Sequence, residues 1–488
     1  MKRIKSFLFE NKSTRQTVAK NTFWMFFGEI SSRLLRAAIL IYAARILGAA
    51  GLGIFSYAIT LAAIFTILSD IGLSAILTRE TAKNPELRSK YLSTSLFIKL
   101  ILMAISALLI IFAAPLLTKI EAARELLPVV AFILFFDGMR EFCFSLNRAL
   151  EKMEAEAIAK TLTNILIFVL GIIFLIIDAT PKSLALSYTI GSGIGFIFTV
   201  WTLRHYFKDI ISNFSKNLLW PIFSAAWPFA LNGLLSGIML NTDTVMLGWW
   251  RSASELGYYA VSQRMIQMLY LIPMLFATSI FPLFAKLAQK ENEKFKLVLE
   301  KAIAISMMLG LPLILGGLIL SKNLILTLFG KEFIFAAPSF NILLFTILLI
   351  FPGVFISNAA FAYNQQKRFI GFLALGALGN AALNYFMIPR YGIEGSSLAT
   401  LGAQILSTGF IWITFKKTIN FKVFTHLKKI FIASIIMTIF TLLIQYLNIN
   451  LFINLGISAL IYFGMLHFIK EQAFSEVKDI FLQSKLKI

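Results

Sequence analysis

Between Asn21 and Leu47 the sequence sets Glu29, Arg33, Arg36 and Arg45 inside a run long and apolar enough to cross a bilayer. A charge near the bilayer centre costs a few kcal/mol or more, so it faces a bundle interior or a wet cavity. Glu29 and Arg33 are spaced i,i+4, and Arg33 and Arg36 i,i+3, so the three share one helix face. That face cannot look at lipid. It calls for a polar interior that the rest of the chain encloses.

The composition agrees. Of 488 residues 58% are hydrophobic and 14% charged, an apolar excess that needs lipid to cover it. The net charge of +21 is spread between the hydrophobic runs, where topology and anionic membrane lipids account for it. There is no compact basic patch interleaved with stacking aromatics, so nucleic acid is not an expected partner. Cys143 is the sole cysteine, which excludes an intrachain disulfide and a cysteine zinc cluster.

Runs near the ~20 residues that a span requires fall at 18–47, 52–77, 90–118, 125–148, 157–177, 183–205, 220–250, 255–286, 297–320, 335–364, 369–388, 395–416, 427–447 and 450–469. The fold class expected is all-α and polytopic, with fourteen transmembrane helices. With the N-terminus inside, and charges near the inner end of a span counted with the adjoining segment, the inner segments hold 32 of the 45 Lys and Arg residues. The outer loops hold Lys119, Arg124, Lys182, Arg251, Lys322, Lys331 and Arg390, while Arg33, Arg36, Arg45, Lys99, Arg140 and Arg264 lie within spans. This imbalance follows the positive-inside rule and places both termini in the cytoplasm. The basic stretch 1–17 reads as a retained cytoplasmic lead-in, 206–219 as a cytoplasmic linker, and 417–488 as the last two spans with a cytoplasmic tail. No Walker loop, dinucleotide fingerprint or metalloprotease helix occurs, so any work is driven by a gradient, the substrate or another protein.

The two groups of six spans, 18–205 and 220–416, repeat weakly. Leu52-Gly53 matches Leu256-Gly257 at an offset of 204, and Ala149-Leu-Glu-Lys-Met153 matches Ala362-Tyr-Asn-Gln-Gln366 at 213. An even number of spans separates the copies, so the repeat is parallel, a transporter plan with a site between two like lobes. Pro228, Pro273, Pro312 and Pro352-Gly353 are expected to interrupt spans seven to ten. Gly191, Gly193 and Gly195 in span six permit close helix approach.

The pattern Asn21-Thr-Phe-Trp24, Ala44-Arg-Ile-Leu-Gly48, Leu52-Gly53-Ile-Phe-Ser-Tyr-Ala58 and Asp70-Ile-Gly-Leu73 resembles the polysaccharide-biosynthesis flippases of the multidrug/oligosaccharidyl-lipid/polysaccharide exporter superfamily. The likeness runs over about residues 15–415. It implies two pseudo-symmetric six-helix lobes in a V, two extra C-terminal helices, alternating access, and residence in the cell (inner) membrane. It also implies a polyprenyl-diphosphate-linked oligosaccharide as substrate, turned from inner to outer leaflet, with a polysaccharide polymerase or glycosyltransferases as partners.

A diphosphate crossing hydrocarbon needs cationic partners, and arginine offers a bidentate fork for its oxygens. The candidates are Arg33 and Arg36, then Arg264, Arg140 and Lys99, with Glu29 and Asp137 as ion-pairing supports. Asp243, Asn380, Asn384 and Thr400 form a candidate coupling-cation set of hard oxygen ligands, similar to the sodium site of lipid II flippases; Asn384 stands where a second carboxylate would strengthen it. Either Na+ or H+ would serve, and no other cofactor is expected. The rival readings are a lipid II or multidrug exporter on the same fold, and a polyprenyl-linked glycosyltransferase or polymerase, for which the outer loops are short.

Overall fold

The computed structural model describes residues 9–11, 13–208, 210–423, 427–471 and 474. Most of the basic lead-in before Ser13 and the tail beyond residue 474 lie outside these. Among the described residues every regular element is helical. Ten helices among the described residues are long and apolar enough to cross a membrane, or eleven when a bent pair is taken as one span. The protein is an all-helical, multi-pass membrane protein.

Two compact units divide the chain, Met1–Gly257 and Tyr258–Ile488. The first holds α1 (Thr14–Thr66), α2 (Leu73–Lys83), α3 (Arg88–Leu108), α4 (Glu121–Ala149), α5 (Met153–Ile177), α6 (Pro181–Leu203) and α7 (Leu219–Trp250). Helix α8 (Ala253–Leu269) begins at its end. Helix α7 belongs with this unit because it packs on α1 and α2. The second unit continues with α9 (Leu271–Leu287), α10 (Asn292–Phe329), α11 (Ala337–Leu344), α12 (Ile347–Ala362), α13 (Gln366–Lys416), α14 (Leu427–Tyr446) and α15 (Leu451–Phe468).

The first two apolar runs are one long helix, α1, broken at a single residue. Gly48 has φ 66° and ψ −175°, a conformation open to a residue without Cβ. Helix α13 breaks the same way at Gly392, φ 60°. The second run does not stay helical to residue 77. It stops at Asp70, turns through Gly72 at φ 88°, and restarts as α2. The Asp70 carboxylate makes this stop favourable by accepting from the Ser74 amide at 3.1 Å.

Proline marked one break, where α8 ends at Leu269 and α9 restarts at Leu271 just ahead of Pro273, but placed the others less well. Helices α7 and α10 run on through Pro228 and Pro312. The bend in the tenth run, 43°, falls between Leu344 and Ile347, ahead of Pro352. There Thr346 turns its hydroxyl back to the Leu343 carbonyl and also meets the Tyr270 hydroxyl. Side-chain bonds to the backbone of this kind compete with helical pairing.

Small residues decide which helices of the first unit meet. On the α1–α5 contact, a Cβ built on Gly28 would lie 3.0 Å from Ala157, and one on Gly171 2.5 Å from Ile39. On the α5–α6 contact, one on Gly191 would lie 2.6 Å from Ile167. Backbones this close fix the facing register of the three helices.

The repeat noted in the sequence has a physical counterpart. A Cβ on Gly53 would sit 1.8 Å from the Ala253 carbonyl oxygen, and one on Gly257 2.0 Å from the Ala49 carbonyl oxygen. The offset of 204 relates Ala49 to Ala253 and Gly53 to Gly257, so each glycine meets the repeat counterpart of the alanine that its own counterpart meets. The contact is therefore reciprocal, as across a two-fold axis.

Candidate functional site

The polar residues of α1 point to α5. Arg33 Nε donates to Glu29 Oε1 at 2.6 Å, and Lys160 Nζ donates to Glu29 Oε2 at 2.6 Å. One carboxylate thus serves two cations. One turn further on, Arg36 Nε donates to Asn164 Oδ1 at 2.8 Å, while Asn164 Nδ2 donates to the Lys160 carbonyl at 2.7 Å. Positions 29, 33 and 36 on α1 and 160 and 164 on α5 are helical neighbours, so the glycine-set register brings two matching polar faces together.

Helices α4 and α6 close the group. Arg140 Nη2 and Ser192 Oγ both donate to Asp137 Oδ1, at 2.6 and 2.8 Å. Arg36 lies within electrostatic reach of the same carboxylate. Arg33, Arg36, Arg140 and Lys160 thus gather around Glu29 and Asp137, and Glu156, within electrostatic reach of Lys160, is itself paired with Arg148. The Arg33, Glu29, Asp137 and Lys160 side chains keep 39, 31, 31 and 27% of their surface exposed, and Arg36 is exposed too, whereas Arg140 is buried. A connected group of four cations and two carboxylates, open along one side, can bind an anion.

Of the residues singled out in the sequence, the structure brings Glu29, Arg33, Arg36, Asp137 and Arg140 into this one group. Lys160, Asn164 and Ser192 were missed. Lys160 lies inside an apolar run with Asn164 at i,i+4, a signal that could have been read, but its partner face is set by tertiary packing. Arg264 lies in the second unit, exposed on α8, with Nη1 3.5 Å from Gln267 Oε1. Asp243 is buried in α7 of the first unit. Asn380, Asn384 and Thr400 belong to α13 of the second, where Asn384 Nδ2 donates to Asn380 Oδ1 at 3.0 Å and Thr400 Oγ1 donates to the Ser396 carbonyl at 3.1 Å.

Lys99 belongs to a different constellation. Its ammonium is buried against Asp70 Oδ2 at 3.1 Å, and Ser74 Oγ donates to the same oxygen. This joins α3 to the broken end of the second run. Lys99→Met leaves the Asp70 carboxylate without its cation and is expected to lower stability by about 1–3 kcal/mol. The double variant Asp70→Asn/Lys99→Met should recover most of that loss in thermal unfolding; purely additive losses would show that the two residues act separately.

In the second unit, α8 to α11, α14 and α15 line a half-open cavity of about 450 Å³ whose surface is mainly apolar, with Met265, Leu313, Leu344, Met437 and Phe463 among its lining.

A family model described as polysaccharide biosynthesis protein matches residues 18–288, more than half of the chain. The chain belongs to this family. A second model, MatE, matches residues 228–386. Relatives of the chain include a putative O-antigen transporter of Shigella flexneri, 25% identical over 78% of this chain and 94% of that one. The capsular polysaccharide biosynthesis protein CapF of Staphylococcus aureus is 24% identical over 80% and 97%. A probable low-salt glycan biosynthesis flippase, Agl15, of Haloferax volcanii is 23% identical over 78% and 80%. Among solved structures, an inward closed conformation of the lipid II flippase MurJ superposes with a TM-score of 0.71 at 19% identity, covering 92% of this chain and 98% of that one. An inward-facing multidrug transporter of the MATE family gives 0.67 at 18% over 79% and 96%. At these identities the structures establish the shared fold.

Proposed function

We propose that the protein is a flippase, not an enzyme, which turns a polyprenyl-diphosphate-linked oligosaccharide from the inner to the outer leaflet of the cell membrane by alternating access. The observation that carries this reading is the cation-rich group on α1, α4 and α5, in which Arg33, Arg36, Arg140 and Lys160 gather around Glu29 and Asp137, while nearby Glu156 is paired with Arg148. Partly exposed charges at membrane depth require an aqueous space, and the unbalanced positive charge selects an anionic headgroup. The names of the family's relatives, O-antigen transporter and glycan flippase, support the sugar-bearing half of that substrate. The apolar cavity in the second unit supports the lipid half, since its lining is chemically matched to isoprenoid.

The architecture belongs to the same proposal: fourteen spans, lobes at 18–205 and 220–416 in a V, linker 206–219, and both termini in the cytoplasm. Support for the count comes from taking the bent pair as an eleventh apolar span, splitting α1 and α13 at Gly48 and Gly392, and adding the charged helix α4. A polymerase or glycosyltransferases of the same pathway are the proposed protein partners. Arg264 is a further proposed contact for the substrate.

The reading is tested in proteoliposomes by following which leaflet holds a labelled polyprenyl-diphosphate oligosaccharide. Redistribution that needs the protein is expected. Movement of lipid II or of cationic drugs in its place would reassign the substrate. We also propose that a cation, Na+ or H+, drives the cycle through Asp243, Asn380, Asn384 and Thr400. Asp243→Asn is then expected to remove the dependence of the rate on that ion, and an unchanged dependence would remove Asp243 from the coupling set.

A further inference from the structure

Arg140 is held in an unusual way. It is 5% exposed, its guanidinium lies 5.9 Å from the Phe144 ring, and only Nη2 has a hydrogen-bond acceptor. Nε and Nη1 are buried with none among the described residues. A guanidinium offers an oxyanion two forks, one side-on and one end-on. The side-on fork joins Nε to Nη2, and the end-on fork joins Nη1 to Nη2. Both forks therefore run through the nitrogen that Asp137 occupies, and each has one empty position.

Asp137 is well placed to yield. The same Oδ1 that accepts from Arg140 also accepts from Ser192 Oγ on α6 at 2.8 Å, and Arg36 on α1 attracts the carboxylate from a third helix. A carboxylate displaced from Nη2 thus keeps a hydrogen bond and a counter-charge. We propose that Asp137 is a resident anion, which a phosphate oxyanion of the substrate displaces from Arg140. This rests on the phosphate-lipid reading above and adds to it how the site releases what it binds. The incoming oxyanion takes a fork of Arg140 with two acceptor oxygens and satisfies the buried N–H groups. On departure the carboxylate returns, so the arginine is never left without an anion. Asp137 is in this sense a positioning residue. It weakens binding and speeds release.

The two effects have opposite signs, which a merely structural ion pair would not produce. The full chain is placed in nanodiscs of neutral lipid, and the affinities for farnesyl diphosphate, inorganic diphosphate and farnesol are measured. Asp137→Asn keeps the shape and an acceptor but drops the charge, and is expected to bind farnesyl diphosphate about tenfold more tightly while transport slows. Asp137→Ser should shift affinity in the same direction, and Asp137→Glu should stay near the wild type. If inorganic diphosphate tightens equally, the oxyanion alone is read; if only farnesyl diphosphate tightens, the phosphate must be lipid-borne; either supports displacement. Farnesol should be indifferent. Unchanged or weaker diphosphate binding in monodisperse Asp137→Asn, with binding still lost in Arg140→Gln, overturns the displacement and leaves the phosphate site standing. Binding retained in both Arg140→Gln and Arg36→Gln overturns the phosphate site itself.

Discussion

Arg36→Glu is expected to reach the membrane in normal amount and to move lipid-linked oligosaccharide at roughly 1% of the wild-type rate or less, the loss that follows from setting a like charge, which costs several kcal/mol, against an anionic headgroup. The native guanidinium donates to Asn164 and offsets Asp137. A carboxylate there would repel Asp137 and leave Asn164 Oδ1 without its donor. The group would fall from four cations and two carboxylates to three and three, which removes its preference for an anion. Arg36→Lys keeps the charge and loses the planar fork, so an intermediate rate is expected. Sidedness of a labelled substrate in proteoliposomes, with protein quantified in the same vesicles, checks both variants. Wild-type turnover by Arg36→Glu would remove the α1–α5 group from the transport path.

The second large effect concerns the reciprocal contact between Ala49–Gly53 and Ala253–Gly257. No side chain fits where a Cβ would lie 1.8 or 2.0 Å from a carbonyl oxygen, so Gly53→Val or Gly257→Val must push two backbones apart. We expect losses of at least about 3 kcal/mol, at the upper end of overpacking costs, with transport abolished. Gly233, which has nothing within 4 Å of a built Cβ, is the control. Gly233→Ala should gain about 0.5–1 kcal/mol through helix propensity alone. Thermal melts followed by size-exclusion chromatography separate these outcomes, and a Gly53→Val protein that melts like the wild type would refute the contact.

Much of the site was legible where it depends on helical period alone. Glu29 with Arg33 and Asp137 with Arg140 meet within one helix, and spacing is enough to pair them. What spacing cannot supply is which helix comes opposite. Lys160 reads as a flank residue until Gly28 and Gly171 draw α5 onto α1, and Ser192 reads as one more small residue among glycines. The apolar runs were visible for the same reason, since lipid imposes length and composition on each of them. Their interruptions were not. The bend before Ile347 and the stop at Asp70 depend on hydrogen bonds donated by Thr346 and by Ser74, whereas Pro228 and Pro312, the stronger local signals, sit inside helices that simply continue.

The bonds that satisfy α1 also bear on how the chain is made. Arg36 waits for a residue 128 positions later, and Glu29 for one 131 positions later. At about 5–20 residues per second, synthesis takes roughly 6–26 s to deliver them. Throughout that interval the nascent first segment holds charges that hydrocarbon would not accept. It must therefore linger beside the insertion machinery or at the water interface, and settle to its final depth only when α5 emerges.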